Sequence, residues 1–258
     1  MSTQASIELQ HVSHVFVTQK EANVAIENIS LTVEPGEFIS LVGPSGCGKS
    51  TILSSISGLL QPTKGTIKIH GVEKTKPSAD IGYMLQSDYL FEWKSILKNV
   101  LTGLKVMKRL DQETRNYANY LLHEMGLSAF KHHYPSQLSG GMRQRASLVR
   151  TLVTNPDILL LDEPFSALDY QTKLQLEDLV WKTLKSHQKT AVLVTHDIAE
   201  SIAMSDRIYI LEKNPGRIKE EIVVPEEIRA EKPFLARENV GFRDIFQRIW
   251  KELDADEG

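Results

Sequence analysis

The chain has 258 residues, with 30 Lys and Arg against 33 Asp and Glu, so its net charge is only -3. This balance leaves no basic excess to neutralise a phosphate backbone, which argues against a protein dedicated to binding nucleic acid. Hydrophobic residues at 41% and charged residues at 24% exclude a disordered or collagen-like chain. The single cysteine, Cys47, excludes an intramolecular disulfide and fits a reducing cytoplasm.

Apolar runs in the sequence are short. Those at 158–161 and 191–194 fall far below the roughly 18 residues that a membrane span requires. Residues 1–9 contain no Lys, Arg or apolar block, so they do not resemble a secretory signal. We expect a cytoplasmic protein that does not cross a bilayer by itself.

The N-terminal part of the sequence predicts β-strands. Residues 5–33 alternate apolar and polar positions and end at a Pro-Gly turn, which predicts an antiparallel edge sheet. Residues 38–42 form an apolar strand that leads into a glycine-rich loop, and a helix is expected over 51–60.

The middle of the sequence predicts a parallel sheet with inserted helices. Strands at 158–161 and 191–195 are separated by a helical stretch at about 168–187, which implies crossover connections. Residues 95–135 show helical spacing of apolar residues and no strand pattern. We therefore expect a helical insertion between strands.

The C-terminal part predicts two strands and a helix. The β-like runs at 208–211 and 218–224 are joined through a turn at 214–216. Apolar residues at helical spacing between 245 and 253 predict an amphipathic helix packed on the domain.

A phosphate-binding loop follows the strand at 38–42. It matches G-x-x-x-x-G-K-[ST] between a strand and a helix, with the residues Gly43, Pro44, Ser45, Gly46, Cys47, Gly48, Lys49, Ser50 and Thr51. Its backbone N–H groups and the positive end of the next helix suit phosphates. We expect Lys49 to reach the β- and γ-phosphates and the Ser50 hydroxyl to bind Mg²⁺. Cys47 is interpreted as an inert loop residue rather than a redox thiol.

Two further strand ends carry polar side chains suited to hydrolysis. Asp162 and Glu163 follow an apolar strand, where Asp162 suits Mg²⁺ and Glu163 suits a general base that polarises water. A helix-capping role is the structural alternative for these carboxylates. His196 follows the next strand, and we expect it beside the γ-phosphate position.

Residues 138–145 read LSGGMRQR and resemble the LSGGQ signature of ATP-binding cassette (ABC) ATPases. The other motifs stand in that family's order along residues 5–225, namely Phe16 as an adenine platform, Walker A at 43–51, Gln86 (Q-loop), Walker B at 158–163, the D-loop ending at Asp169, and His196 (H-loop). The resemblance implies an α/β P-loop NTPase with a mostly parallel core sheet, an N-terminal antiparallel β subdomain and an inserted α-helical subdomain.

The resemblance also implies domain boundaries. We expect an ABC ATP-binding domain over residues 1–230, with the helical subdomain at about 88–155 inserted in a RecA-like core. A short C-terminal helical extension is expected over 231–258.

The signature predicts a second anion-binding helix start on the same chain, built from Ser139, Gly140 and Gly141. One phosphate cannot occupy both helix starts of a monomer. In the family a head-to-tail dimer resolves this conflict, because the signature of one copy closes over the γ-phosphate held by Lys49 of the other. Asp169, His196 and Gln86 are expected at the nucleotide by the same resemblance, with Gln86 sensing Mg²⁺ or the attacking water.

More narrowly, GPSGCGKST, GMRQR and a Trp shortly after Gln86 resemble the ATPases of nitrate, sulfonate and taurine importers. The implied activity is hydrolysis of ATP to ADP and phosphate with Mg²⁺, energising uptake of such a solute or of a vitamin precursor. Implied partners are a second copy, separate membrane permease subunits and, indirectly, a solute-binding protein, at the inner face of the cell membrane. A soluble non-transport ABC ATPase and a small-molecule P-loop kinase are the alternatives.

The aromatic segment 89–93 is the predicted contact with the permease. A large apolar cluster in a loop is either buried locally or exposed for a partner. In the family the region beyond the Q-loop receives a helix of the membrane subunit. Local core packing of the same aromatic residues is the rival hypothesis.

Overall fold

The computed structural model describes residues 4–18 and 21–254. Within these ranges the chain forms two compact units, one made of 4–18, 21–78 and 177–254 and the other of 79–176. The helical subdomain expected at 88–155 lies inside the second unit.

Strands and helices follow one another along the described chain. The strands are β1 (Ile7–Val17), β2 (Ala22–Val33), β3 (Phe38–Val42), β4 (Lys64–Ile69), β5 (Val72–Glu73), β6 (Ile81–Met84), β7 (Ile158–Asp162), β8 (Thr190–Val194), β9 (Arg207–Glu212) and β10 (Arg217–Val223). The helices are α1 (Lys49–Ile56), α2 (Ile96–Val100), α3 (Thr102–Val106), α4 (Gln112–Glu124), α5 (Gly140–Leu152), α6 (Tyr170–Ser186), α7 (Ile198–Met204), α8 (Glu226–Arg229), α9 (Pro233–Ala236) and α10 (Phe242–Asp254).

The first unit contains the predicted N-terminal antiparallel sheet, in the order β2-β1-β4-β5. It also contains β3, which pairs in parallel with β8 and β9, while β10 runs antiparallel to β9. Every residue of β3 and β8 is buried, as expected for strands of a parallel sheet covered on both faces. These strands position the glycine-rich loop and His196 at their carboxyl ends.

The second unit contains β6 and β7, paired in parallel, and helices α2 to α5. The predicted insertion of helices over 95–135 is confirmed. Strands β4, β5 and β6 were not predicted. Strand β6 is only four residues long and includes Gly82, whose missing side chain lets Pro156 approach closely.

Helix α1 begins two residues before its predicted start and ends four residues before its predicted end at residue 60. Gly58 explains the early end. It adopts a left-handed conformation with φ +78°, where a Cβ would meet the backbone of Lys76 at 2.6 Å. The N–H groups of Leu59 and Leu60 fold back to the carbonyl of Ser54, as at a glycine-terminated helix end.

The predicted C-terminal amphipathic helix is confirmed as α10. It buries Phe242 and Ile249 in a cluster with residues of α7 and β9, and Ile245, Phe246 and Leu253 pack against that cluster. Burial of this stripe explains why a strongly charged segment folds as a helix on the first unit.

A buried ion pair connects Arg237, the residue after α9, to the middle of α6. Arg237 Nη2 lies 2.7 Å from Glu177 Oε2, and the Glu177 side chain is fully buried. Arg237 also donates to the Pro233 carbonyl at 2.7 Å, and the Phe234 N–H donates to Asp178 at 3.0 Å. Polar contacts therefore bind the α9 region to α6.

We expect Arg237→Met to lower the free energy of unfolding by about 3–5 kcal/mol, because it removes the arginine partner of a fully buried carboxylate. Urea unfolding followed by circular dichroism measures the change. The exposed Arg243→Met on α10 is the matched control. Equal midpoints for the two variants would contradict a stabilising role of the ion pair.

Candidate functional site

The glycine-rich loop forms a closed turn around the ammonium group of Lys49. Lys49 Nζ donates to the carbonyls of Gly43 at 2.7 Å and Pro44 at 3.0 Å, and its side chain is buried. Gly48 has φ +92°, and a Cβ there would overlap the Ile26 side chain. Ser45, Gly46 and Ser50 are exposed around this turn, and Thr51 is half-buried.

This geometry fits a nucleotide phosphate. Neutral carbonyl groups hold the ammonium of Lys49, and they carry no negative charge to balance it. An anionic phosphate would supply that charge. Around Gly46, which has φ +82°, a Cβ would meet no atom within 4 Å, so the loop is open where a ligand must approach. Helix α1, which starts at Lys49, directs its positive end toward the same loop.

Cys47 is buried within this loop. Burial raises the pKa of its thiol, although the Lys49 ammonium, 3.7 Å from Sγ, partly opposes the shift. The thiol is therefore protonated and shielded, which supports its interpretation as an inert loop residue.

Phe16 lies near the C-terminal end of β1 and is partly exposed. Its side chain is 45% exposed, whereas Val12 and His14 on the same strand are buried. The Phe16 ring contacts the edge of His14 with a centroid distance of 4.5 Å. An aromatic face partly open to solvent is compatible with stacking on a base and disfavours a core-packing role.

We expect Phe16→Ala to weaken ATP binding by about 1–3 kcal/mol, because the base loses its stacking partner. Thermal stability should change little, since the ring is not in the core. Titration with a fluorescent ATP analogue measures the affinity, and the neighbouring exposed Val17→Ala serves as the control. Unchanged affinity with a lowered melting temperature would instead favour a packing role.

The structure brings Gln86 and Glu163 together in the second unit. Gln86 Nε2 donates to Glu163 Oε2 at 3.1 Å. Asp162 ends β7 with its side chain buried, and Glu163, the next residue, adopts a left-handed conformation with φ 48°. A carboxylate fixed by an amide in this way can accept a proton from water.

The oxygen ligands expected for Mg²⁺ fit the preferences of that ion. Ser50, Gln86 and Asp162 offer hydroxyl, amide and carboxylate oxygens. Among residues 4–18 and 21–254 no group of three or more His, Cys, Asp or Glu side chains is arranged to hold a metal ion. Mg²⁺ characteristically takes one or two carboxylates and completes its shell with phosphate and water oxygens, which such a ligand set allows.

The signature segment forms the capped start of α5. Ser139 is the N-cap, and its Oγ accepts the N–H of Met142 at 3.3 Å. Gly140 is exposed, while a Cβ on Gly141 would lie 3.1 Å from Leu168 Cδ2. The predicted N-cap is confirmed, and the two glycines keep the helix start accessible on one side and close to the D-loop on the other.

The D-loop and H-loop residues also lie at helix starts. Asp169 accepts the N–H of Thr172 at 3.0 Å, and this bond lowers the pKa of its carboxyl. His196 is exposed in the turn after β8, and Asp197 caps α7 by accepting the Glu200 N–H at 3.0 Å. The helix cap of α7 is therefore Asp197, the residue after His196, and not His196 itself.

Gln144 is a residue of the site that sequence reasoning did not single out. Its Nε2 donates to the carbonyl of Glu163 at 3.1 Å, and its Oε1 accepts the N–H of Ala167 at 3.0 Å. The available signal was its place on α5, because Gln144 shares a helix stripe with the buried Leu148 and Thr151. A polar side chain in an apolar stripe requires buried partners.

The aromatic segment 89–93 divides into buried and exposed side chains. Tyr89 and Trp93 are exposed, Leu90 is buried and Phe91 is half-buried, with its ring 5.3 Å from that of Trp93. The rival hypothesis of local packing therefore holds for Leu90 and not for Tyr89 or Trp93.

Three polar side chains hold this segment to its own unit. Arg150 donates to the carbonyls of Asp88 and Tyr89, both at 2.7 Å. Arg143 Nε donates to Asp88 Oδ2 at 3.0 Å, and the buried Asn99 accepts the Phe91 N–H at 2.7 Å. The exposed aromatic rings are thus presented by a backbone that is fixed to α2 and α5.

The chain has two helices, α1 and α5, whose N-terminal ends suit a phosphate group. This pair of helix starts is typical of an ABC-type P-loop ATPase. The family model described as ABC transporter matches residues 26–166. This chain belongs to the ABC transporter family and is an ATP-binding ATPase subunit.

Curated relatives match the chain along most of its length. The "Uncharacterized ABC transporter ATP-binding protein YtlC" of Bacillus subtilis (strain 168) is 53% identical over 96% of this chain and 96% of its own. The nitrate import ATP-binding protein NrtD of Synechocystis is 40% identical over 84% of this chain and 82% of its own. The aliphatic sulfonates import ATP-binding protein SsuB of Bacillus subtilis is 39% identical, with 79% and 78% covered.

Solved structures agree with the fold. A dimeric, post-hydrolysis structure of the ATP-binding cassette MJ0796 bound to ADP and Pi has a TM-score of 0.78 and 33% identity. The match covers 85% of this chain and 99% of that one. In the described parts of this chain, no helix has the length and apolar character needed to span a membrane.

Proposed function

We propose that this chain is the Mg²⁺-dependent ATPase subunit of an importer for a small solute of the nitrate, sulfonate or taurine class. The contact between Gln86 and Glu163 carries the hydrolytic part of the proposal, because it fixes a carboxylate next to the strand end that bears Asp162. Relatives named for nitrate, taurine and sulfonate import, at 36–40% identity, support the class of solute. Vitamin precursors are the second class to test.

In the proposed reaction each motif has a distinct task. Lys49 and the loop N–H groups bind the β- and γ-phosphates, and Phe16 stacks on adenine. Ser50, Gln86 and Asp162 would hold Mg²⁺, which would neutralise phosphate charge. Glu163 accepts the proton of the attacking water, and His196 and Asp169 contact the nucleotide region.

The proposed active form is a head-to-tail dimer. Helix α1 begins at Lys49 and helix α5 is capped by Ser139, and both helix starts suit an anion. In the proposed dimer, one γ-phosphate is bound by the α1 start of one copy and the α5 start of the other. A second copy supplies Ser139, Gly140 and Gly141 to complete the site. Dimeric structures of a related ATP-binding cassette support the formation of a dimer.

The proposed membrane partner is a permease that contacts the 89–93 segment. Exposed aromatic side chains on a fixed backbone suit a protein interface, because little side-chain freedom is lost on binding. A solute-binding protein acts on the permease, and the subunit works at the inner face of the cell membrane.

Reconstitution tests the proposed function. The chain is produced with a candidate permease and a candidate binding protein, and ATPase activity is measured with the binding protein loaded with nitrate, taurine, an alkanesulfonate or a vitamin precursor. One solute should stimulate hydrolysis several-fold, and EDTA or Lys49→Ala should abolish it. ATPase activity that is the same with and without the permease, and with every solute, would support a soluble ABC ATPase instead.

A further inference from the structure

The side chain of Gln144 joins the signature helix to the turn that carries the proposed base. Gln144 is 5% exposed, and its amide donates to the Glu163 carbonyl at 3.1 Å while accepting the Ala167 N–H at 3.0 Å. The amide nitrogen and the amide oxygen of Gln144 therefore both bond to one short turn, residues 163–167. This side chain is the polar bridge from α5 to that turn.

The turn needs such support because of its backbone conformation. Glu163 has φ 48°, a left-handed conformation that residues with a Cβ rarely adopt. Its carbonyl also accepts the Ser166 hydroxyl at 3.1 Å and the Ser166 N–H at 3.3 Å. Donors from α5 and from the turn itself therefore converge on one carbonyl oxygen.

Bonds at this carbonyl hold the main chain of Glu163 in place, and with it the Cα from which the side chain extends. If that main chain moves, the carboxylate moves with it and away from Gln86, which holds Oε2 at 3.1 Å. A displacement of about 1 Å at a reacting group can cost about 10²-fold in rate. Fixing the carbonyl is therefore a means of fixing the base.

We propose that Gln144 is a positioning residue that aligns Glu163 through its main-chain carbonyl and makes that alignment depend on α5. The proposal rests on the function proposed above. Ser139, the N-cap of α5, is the group assigned to the partner copy's ATP, and Gln144 lies on the same helix just over one turn beyond it. Nucleotide bound at the signature thereby influences the base of the same chain, so that the two ATP sites of the dimer communicate.

Gln144→Met tests the proposal, because it keeps the length of the side chain and removes both polar contacts. Thr151→Val is the matched control, since Thr151 is also buried on α5 and its hydroxyl donates within that helix, to Ser147 O at 3.1 Å. We measure kcat, ATP affinity and the Hill coefficient for ATP. Amide hydrogen exchange of residues 163–168 in the nucleotide-free chain provides a readout independent of activity.

For Gln144→Met we expect a fall in kcat on the order of tenfold or more, with ATP affinity within about twofold of the parent. Exchange at 163–168 should accelerate, and the Hill coefficient should fall toward one. Thr151→Val should leave all four quantities near the parent values. A merely structural role of Gln144 predicts equal losses in the two variants, and that result overturns the proposal.

Other outcomes are equally decisive. Parent-like kcat and exchange in Gln144→Met overturn the positioning role, and a parent-like Hill coefficient beside a reduced kcat overturns communication between the sites. If Gln144→Met does not fold, the exposed Ser166→Ala replaces it. Roughly threefold or greater loss of kcat then supports the proposal and an unchanged kcat overturns it.

Failure of the proposed function gives a different pattern. If the parent shows no hydrolysis with Mg²⁺, the proposed function fails, and the exchange measurement alone decides the role of Gln144. If the parent is active and Glu163→Gln is not, while Gln144→Met keeps full activity, only the inference on Gln144 fails.

Discussion

Glu163→Gln should bind ATP with parent-like affinity and hydrolyse it roughly 10²–10⁴-fold more slowly. An amide at this position cannot take the proton of the attacking water, whereas its oxygen can still accept the bond that Gln86 donates at 3.1 Å. The local structure is therefore preserved while the chemistry is lost. Steady-state phosphate release measures the rate, and nucleotide titration measures the affinity.

The same variant should accumulate as an ATP-bound dimer, because the closed state is no longer consumed by hydrolysis. Size-exclusion chromatography with and without ATP detects the change. Glu113→Gln, in the exposed first turn of α4, is the control for loss of one carboxylate. Near-parent turnover of Glu163→Gln would falsify the assignment of Glu163 as the base.

Local sequence patterns predicted the elements on which the site is built. The glycine-rich loop needs left-handed glycines before a helix, and Gly48 has that conformation ahead of α1. Ser139 before two glycines predicted the N-cap of α5, and the bond from Met142 confirms it. Such features depend on residues close together in the chain, so a single sequence contains them.

Contacts between distant residues account for what the sequence did not reveal. The Gln86 to Glu163 bond spans 77 residues, and the Arg150 bond to the Tyr89 carbonyl spans 61. Neither follows from spacing, because both depend on how helices and loops pack within the second unit. Strand β6 was missed for a related reason, since its only ladder partner in that unit, β7, begins more than seventy residues later.

The division of segment 89–93 into buried and exposed side chains sharpens the docking hypothesis. Sequence alone treats the aromatic cluster as one surface. Phe91 is half-buried, its N–H is bound by Asn99, and its ring lies 4.2 Å from Lys94 Nζ. Trp93, at 73% exposed, has the largest exposed fraction of the large hydrophobic residues in this segment.

Trp93→Asp should therefore abolish binding to the permease without unfolding the isolated subunit. A central Trp at an interface commonly contributes about 2 kcal/mol or more, which corresponds to a roughly 30-fold loss of affinity, and a buried charge adds to it. Basal ATPase activity should persist, since Trp93 has no contact with Gln86 or Glu163 among its described interactions. Co-purification with the tagged permease and thermal melting of the free subunit are the two measurements.

Leu90→Asp provides the opposite case within the same segment. Leu90 is 7% exposed, so a charge there must be buried in the second unit, and the isolated subunit should lose stability before any partner is present. Phe91→Asp should resemble Trp93→Asp, because the half-buried ring can move while Asn99 still holds the backbone. If Trp93→Asp and Leu90→Asp both unfold the free subunit, local packing explains the cluster. If Trp93→Asp alone keeps its fold and loses the permease, the exposed rings are the interface.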